Sequence, residues 1–165
     1  VNGDSTRMPA AMHSFYLRKM YLKNLLREPG GITLAGVPID VTAIKTPAYF
    51  ISTAEDHIAP WQSTYAGARL LQGPVRFVLG GSGHIAGIIN PPVANKYSYW
   101  TNDKLAAKPA DWLAGAKQQP GSWWTDWAQW VLGYAGDPVA ARKPGSKRYP
   151  ALEDAPGSYV RQRVA

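Results

Sequence analysis

The chain has 165 residues, 45% of them hydrophobic and 12% aromatic, with a formal charge of +7 and no cysteine. That length can hold one packed domain, and that apolar content excludes disorder over most of it. The lack of cysteine excludes a disulfide framework and any thiol nucleophile of the chain's own, no apolar run approaches the length of a membrane span, and three scattered histidines (His13, His57 and His84) make a poor metal site.

Taken in order, Pro9 suits the first turn of a helix, with Ser5 or Thr6 near the cap. Met8, Met12, Phe15, Leu22 and Leu26 recur at near-helical spacing, and Glu28-Pro29-Gly30-Gly31 stops the run. His13 lies on this helix and reads as structural. Residues 32–35 and 38–41, broken at Gly36, read as a small extended excursion. Thr46-Pro47 then leads into the apolar run 47–51, with proline at its first residue because it cannot donate to a ladder. Trp61 to Leu71 is the crossover helix, ended by Gln72-Gly73-Pro74. A second apolar run spans 75–79. Ala110 to Lys117 reads as a short helix, and Trp123, Trp127, Trp130, Val131 and Tyr134 fall at i, i+4, i+7, i+8 and i+11 on one helical face. That stripe reads as a helix packed on the domain. From Asp137 to Ala165 a basic, Pro/Gly-rich stretch reads as an extended strap or tail. Basic clusters at Arg18/Lys19/Lys23/Arg27 and Arg142/Lys143/Lys147/Arg148 accompany no nucleic-acid-binding pattern, so they read as solvated surface.

The chemistry concentrates in two loops. Glu55-Asp56-His57-Ile58-Ala59-Pro60 follows the first apolar run, and Gly80-Gly81-Ser82-Gly83-His84-Ile85-Ala86-Gly87 follows the second. Two strands joined by a helix form a βαβ unit with parallel neighbours. Both loops then lie at the carboxyl ends of adjacent strands, where open α/β sheets place their sites. An acid after one strand and a histidine after the next is the order of the second half of an α/β-hydrolase triad. The matching G-x-S-x-G or G-x-C-x-G elbow is absent, so the nucleophile is expected upstream. His84 can take a proton near neutral pH, and its flanking glycines leave room beside the ring. Asp56 can orient His84 or accept a substrate proton, and it could equally cap the helix ahead of Pro60. Glu55 is the weaker acid. His57 reads as a wall of the substrate channel with Ile58, Ser82 and Ile85, since sequence neighbours rarely share an orientation.

These residues also carry a family resemblance. Residues 2–9 (NGDSTRMP) and 13–22 (HSFYLRKMYL), the 55–60 motif, 82–87 and 88–92 (IINPP), then 121–124 (GSWW) and 155–160 (APGSYV), resemble class I polyhydroxyalkanoate synthases in order along nearly the whole chain. The chain is similar to roughly the carboxy-terminal third of such a synthase. The resemblance implies the carboxy-terminal part of an α/β-hydrolase fold, holding its last parallel strands with flanking helices and incomplete on its own. It divides the chain into a catalytic part, 1–136, and the tail, 137–165. The catalytic part comprises a lid-adjacent helix (1–31), core strands with acid and base loops (46–100), and packing helices (109–136).

By the same resemblance, His84 is the general base that activates a cysteine thiol toward an (R)-3-hydroxyacyl-coenzyme A, and Asp56 helps activate the substrate's 3-hydroxyl. No cofactor is implied, because the coenzyme A thioester is the substrate. The implied partners are the growing polyester, the missing amino-terminal part, a second copy in a homodimer, and the surface of cytoplasmic polymer granules. A cationic surface mildly favours the phosphates of coenzyme A or an anionic granule surface. Two rivals stand beside this reading: a lipase, esterase or depolymerase with an upstream serine, and a non-catalytic granule-binding or dimerisation fragment. Because the two strand runs lack polar alternation, they expect cover on both faces. Two strands alone are too few for a stable sheet, so the isolated chain is expected to be poorly soluble or molten.

Overall fold

The computed structural model describes residues 7–162. Ser5, Thr6 and the rest of the segment before Arg7 lie outside the described residues. Helix α1 (Ala10–Phe15) begins after Pro9 without a side-chain cap and runs on through wider, π-type turns over Tyr16–Leu22. It stops at Asn24, whose φ of 49° leaves the helical region, before the expected Pro29-Gly30 signal. A single 3-10 turn, Leu25–Arg27, follows. The excursion after it is a hairpin of β1 (Ile32–Leu34) and β2 (Val37–Ile39). Ala35 and Gly36 both take positive φ at its tip, as a tight two-residue hairpin turn demands.

The main sheet starts at β3 (Ala48–Thr53), crosses through α2 (Trp61–Ala68) and returns as β4 (Val75–Gly80). These strands pair in parallel, from Ala48 opposite Val75 to Thr53 opposite Gly80. The expected βαβ unit is present. The sheet does not end there, and this corrects the expectation of only two parallel strands. Strand β5 (Ser98–Thr101) pairs antiparallel to β4. After α3 (Pro109–Ala114), strand β6 (Lys117–Pro120) pairs antiparallel to β5. The result is a four-stranded mixed sheet ordered β3-β4-β5-β6. The segment 109–136 therefore contributes a strand as well as helices α3 and α4 (Trp124–Leu132). With four strands, the premise that the chain holds too little sheet to be stable falls away.

Both faces of β3 and β4 are covered. On one face Phe50, Val75, Phe77, Leu79 and Trp100 meet Trp61, Tyr65 and Ala68 of α2 and Trp112 of α3. Its centre is aromatic and edge-on: Tyr65 and Phe77 lie 4.9 Å apart at 85°, Phe77 and Trp112 5.0 Å apart at 88°. Such geometry sets the positive ring edge against the negative ring face. On the other face Tyr49 stacks 6.2 Å from Trp123 and meets Trp130 of α4 at 5.4 Å. Asp126 of α4 accepts hydrogen bonds from the Tyr49 hydroxyl at 2.9 Å and Arg76 Nε at 2.8 Å, and pairs with Arg76 Nη2 as well. Only part of the tryptophan stripe is used in this way. Trp127 and Tyr134 remain 44% and 57% exposed, so the stripe is a half-covered face. Beyond α4 the chain runs exposed to Gln162 save at the half-buried Gly157, with one short helical turn at Tyr159–Arg161.

Candidate active site

The acid loop leaves β3 at Thr53, and the base loop leaves β4 at Gly80. Because these strands are parallel neighbours in register, both loops emerge side by side at the carboxyl edge. Backbone bonds tie them together at once: Ala54 N–H donates to Gly80 O at 2.8 Å and Glu55 N–H to Ser82 O at 3.0 Å. Ser82 itself adopts φ 69°, turning the base loop sharply away from the strand. The following turn closes through Gly87 N–H on Gly83 O at 2.9 Å, with His84 inside it. Gly87 has no room for a side chain. A Cβ there would stand 2.4 Å from Thr53 Cγ2 and 2.5 Å from Gly81 O.

This packing brings His84 Nδ1 to 2.8 Å from Asp56 Oδ2. The other carboxylate oxygen, Oδ1, accepts the backbone N–H groups of Ile58 and Ala59, each at 2.9 Å. Asp56 thus pairs with His84, and its second oxygen caps the 56–59 turn and not the helix that follows Pro60, which corrects the expected helix cap. The N-cap of α2 is Pro60, which has no side-chain cap. The Ala59 N–H first, then His84 and the Ile58 N–H, hold the Asp56 carboxyl down at about 2. The carboxylate is consequently ionised at neutral pH and fixes its partner's tautomer: Nδ1 carries the proton it donates to Asp56, leaving Nε2 to accept another. Only 7% of the Asp56 side chain is exposed, against 43% of His84. An oriented base with an accessible ring can deprotonate a hydroxyl or thiol brought against it.

The other residues expected here scatter around that pair. Ser82 is half-buried, and its carbonyl bonds the acid loop. His57 is exposed, as are Ile58 (65%) and Ile85 (49%), so the residues expected to wall a channel form an open rim within this chain. Glu55 is exposed and takes no part in the pair. No cluster of metal-ligating side chains occurs among the described residues. Two contributors escaped the sequence reading. Trp123 Nε1 donates to Gly87 O and Ile88 O at 3.1 and 3.3 Å, and Trp124 Nε1 donates to Ile88 O at 2.9 Å. The adjacent tryptophans after Gly121-Ser122 were visible in the sequence, but their target lies 36 residues upstream.

No protein-family model matches the chain. Curated relatives do. The chain is 51% identical over 164 residues to the poly(3-hydroxyalkanoate) polymerase subunit PhaC of Cupriavidus necator, covering 99% of this chain and 28% of that protein. It is 48% identical to the PhaC subunit of Rhizobium etli over 163 residues, 99% of this chain and 26% of the relative. It is 45% identical to the poly(3-hydroxyalkanoate) polymerase of Methylorubrum extorquens over 164 residues, 99% and 27%. Over the part it spans, the chain is similar to the poly(3-hydroxyalkanoate) polymerases. That part is about a quarter of the length of the curated relatives it matches. The resemblance noted from the motifs thus extends from end to end.

Proposed function

We propose that the chain is the carboxy-terminal part of a class I polyhydroxyalkanoate synthase, an acyltransferase of α/β-hydrolase fold. It polymerises (R)-3-hydroxyacyl groups from coenzyme A thioesters and releases coenzyme A. The observation that carries this reading is the 2.8 Å Asp56–His84 pair at the carboxyl ends of parallel strands, in a chain similar throughout to the polymerases. The chain has no cysteine, so the nucleophilic thiol comes from the rest of the protein. His84 Nε2 takes the thiol proton, and the thiolate attacks the thioester carbonyl. The tetrahedral oxyanion then collapses, the C–S bond to coenzyme A breaks, and the imidazolium returns its proton to the departing thiolate. In elongation the 3-hydroxyl of one acyl unit gives up its proton at the same pair and attacks the next acyl-enzyme; the ester forms as the acyl C–S bond to the enzyme's cysteine breaks, and the proton passes to the departing cysteine thiolate. Asp56, kept anionic by Ala59, His84 and Ile58, stabilises the imidazolium in each step. The open rim of His57, Ile58, Ser82 and Ile85 becomes a channel wall once the remainder of the protein covers it. Dimerisation and residence at the surface of cytoplasmic polymer granules belong to the same proposal.

The test is coenzyme A release from (R)-3-hydroxybutyryl-coenzyme A. The 165-residue chain alone is expected to release none above background, since it holds a base and an acid without a nucleophile or an oxyanion hole. Joined to a nucleophile-bearing upstream part, it is expected to release coenzyme A and form polymer in step. Turnover by the chain alone would overturn the division of labour. Ester hydrolysis without polymer in the joined protein would favour a serine lipase, esterase or depolymerase.

A further inference from the structure

Helix α4 reaches across the sheet to the loop that carries the base. Trp123 at its N-cap and Trp124, its first residue, end on the carbonyls of Gly87 and Ile88, three and four residues beyond His84. Gly87 and Ile88 close the turn around His84 through their own N–H groups, on Gly83 O and Ile85 O, and no helix continues past them to satisfy their carbonyls. The helix is itself anchored at both ends of this reach. Ser122 is buried, its hydroxyl accepts the Trp124 N–H at 3.1 Å, and its carbonyl accepts the Thr125 hydroxyl at 2.9 Å. One turn on, Asp126 is pinned to Arg76 of β4 and Tyr49 of β3, which fixes α4 to the two strands that feed the acid and base loops. Burial and the Asp126 carboxylate hold the Tyr49 phenol in its protonated, donating form.

We propose that Trp123 and Trp124 are positioning residues for His84, their indole N–H groups setting the turn that presents its imidazole to Asp56. The loop's inner side cannot do this alone: it rests on Thr53, a β3 residue fixed by the strand, through a glycine without a side chain. The outer side is set by the two indoles. A phenylalanine at 123 keeps an aromatic ring against Tyr49 but takes the indole donor from Gly87 O, and one at 124 removes the shorter of the two indole bonds to Ile88 O, so the turn is able to shift. A displacement of the base by about 1 Å is enough to cost up to about 100-fold in rate.

This inference rests on His84 acting as the proposed base, so the experiment has two arms. In the joined protein, Trp124→Phe is expected to lower kcat about 10-fold, and Trp123→Phe/Trp124→Phe about 100-fold, with KM within about twofold. Trp127→Phe, an exposed site on the same helix, is expected to leave both constants unchanged. An unchanged kcat in the double variant, or an equal loss in Trp127→Phe, would overturn the proposal. In the 165-residue chain, the arm independent of turnover is the His84 Nδ1–H proton resonance, identified by its loss in His84→Gln. It is expected in the parent chain, and expected to broaden or vanish in Trp123→Phe/Trp124→Phe while backbone amide dispersion persists. Trp124→Phe decides the matter if the double variant loses that dispersion. A resonance that survives both substitutions would overturn the proposal, whereas absent turnover in the parent joined protein would overturn only the proposed function.

Discussion

The sheet with α2, α3 and α4 and the amino-terminal helical arm both carry apolar faces in their sequences, yet these end in opposite states. In the sheet region, Trp61, Tyr65, Phe77 and Trp112 are all below 9% exposed. Along the arm, Met8, Met12, Tyr16, Leu17, Tyr21, Leu22 and Leu26 are all more than a third exposed, with Tyr21 at 83% and Leu22 at 75%. The difference lies in partners. A helical stripe specifies that a face needs covering, and only the remainder of a fold supplies the cover. The arm meets little beyond its own turns here. The sheet region closes on itself because α2, α3 and α4 are each within reach of a strand face.

The largest difference between the two regions should appear on truncating a core ring. Trp112→Ala is expected to cost about 3–5 kcal/mol, read as a fall in the urea midpoint at constant slope. A loss below about 1 kcal/mol would mean the aromatic centre is not the folding core. Next comes the clamp between α4 and the sheet. Asp126→Ala leaves Arg76 and Tyr49 without their shared acceptor. Since Arg76 is 29% exposed, the cost of a broken buried pair is discounted to about 2 kcal/mol. At the bottom of the scale, Tyr21→Ala on the arm should move stability by less than about 0.5 kcal/mol in this chain. A larger effect would show that the arm packs against the sheet region after all.

The acid–base pair adds a pH signature with a definite sign. Asp56 is depressed from 3.8 to about 2 in the folded chain, so its contribution to stability is present above about pH 4. That contribution is lost as pH falls through about 2, when the carboxylate protonates and releases His84 and the Ile58 and Ala59 amides. Asp56→Asn should flatten this limb of an acid titration followed by His84 ring-proton shifts. An unchanged limb would place the titrating carboxylate elsewhere.

Much of the site could be read from residues alone because its parts are local. The 47–51 and 75–79 runs, the glycines around His84 and the Asp56 loop each announce themselves within a few positions, and the parallel pairing of β3 with β4 brings them together. What escaped is non-local. Strand β6 is Lys117-Gln118-Gln119-Pro120, with no apolar alternation; it is a strand because β5 pairs with it. The π-type turns over Tyr16–Leu22 have no sequence punctuation. The indole bonds from α4 to the base loop connect residues 35 and 36 positions apart, which no periodicity records. The half-exposed tryptophan stripe shows the same limit, since Trp127 and Trp130 follow one pattern and only Trp130 meets Tyr49.

The most direct test of the proposed catalytic role is the coenzyme A release rate of His84→Ala in the joined protein, compared with its parent. Removal of the base is expected to cost at least about 1,000-fold, as loss of a triad member does, while the 165-residue chain carrying the same substitution keeps its dispersed amide spectrum. A His84→Ala protein that releases coenzyme A at near the parental rate would contradict the assignment of the Asp56–His84 pair as the acid–base half of the site.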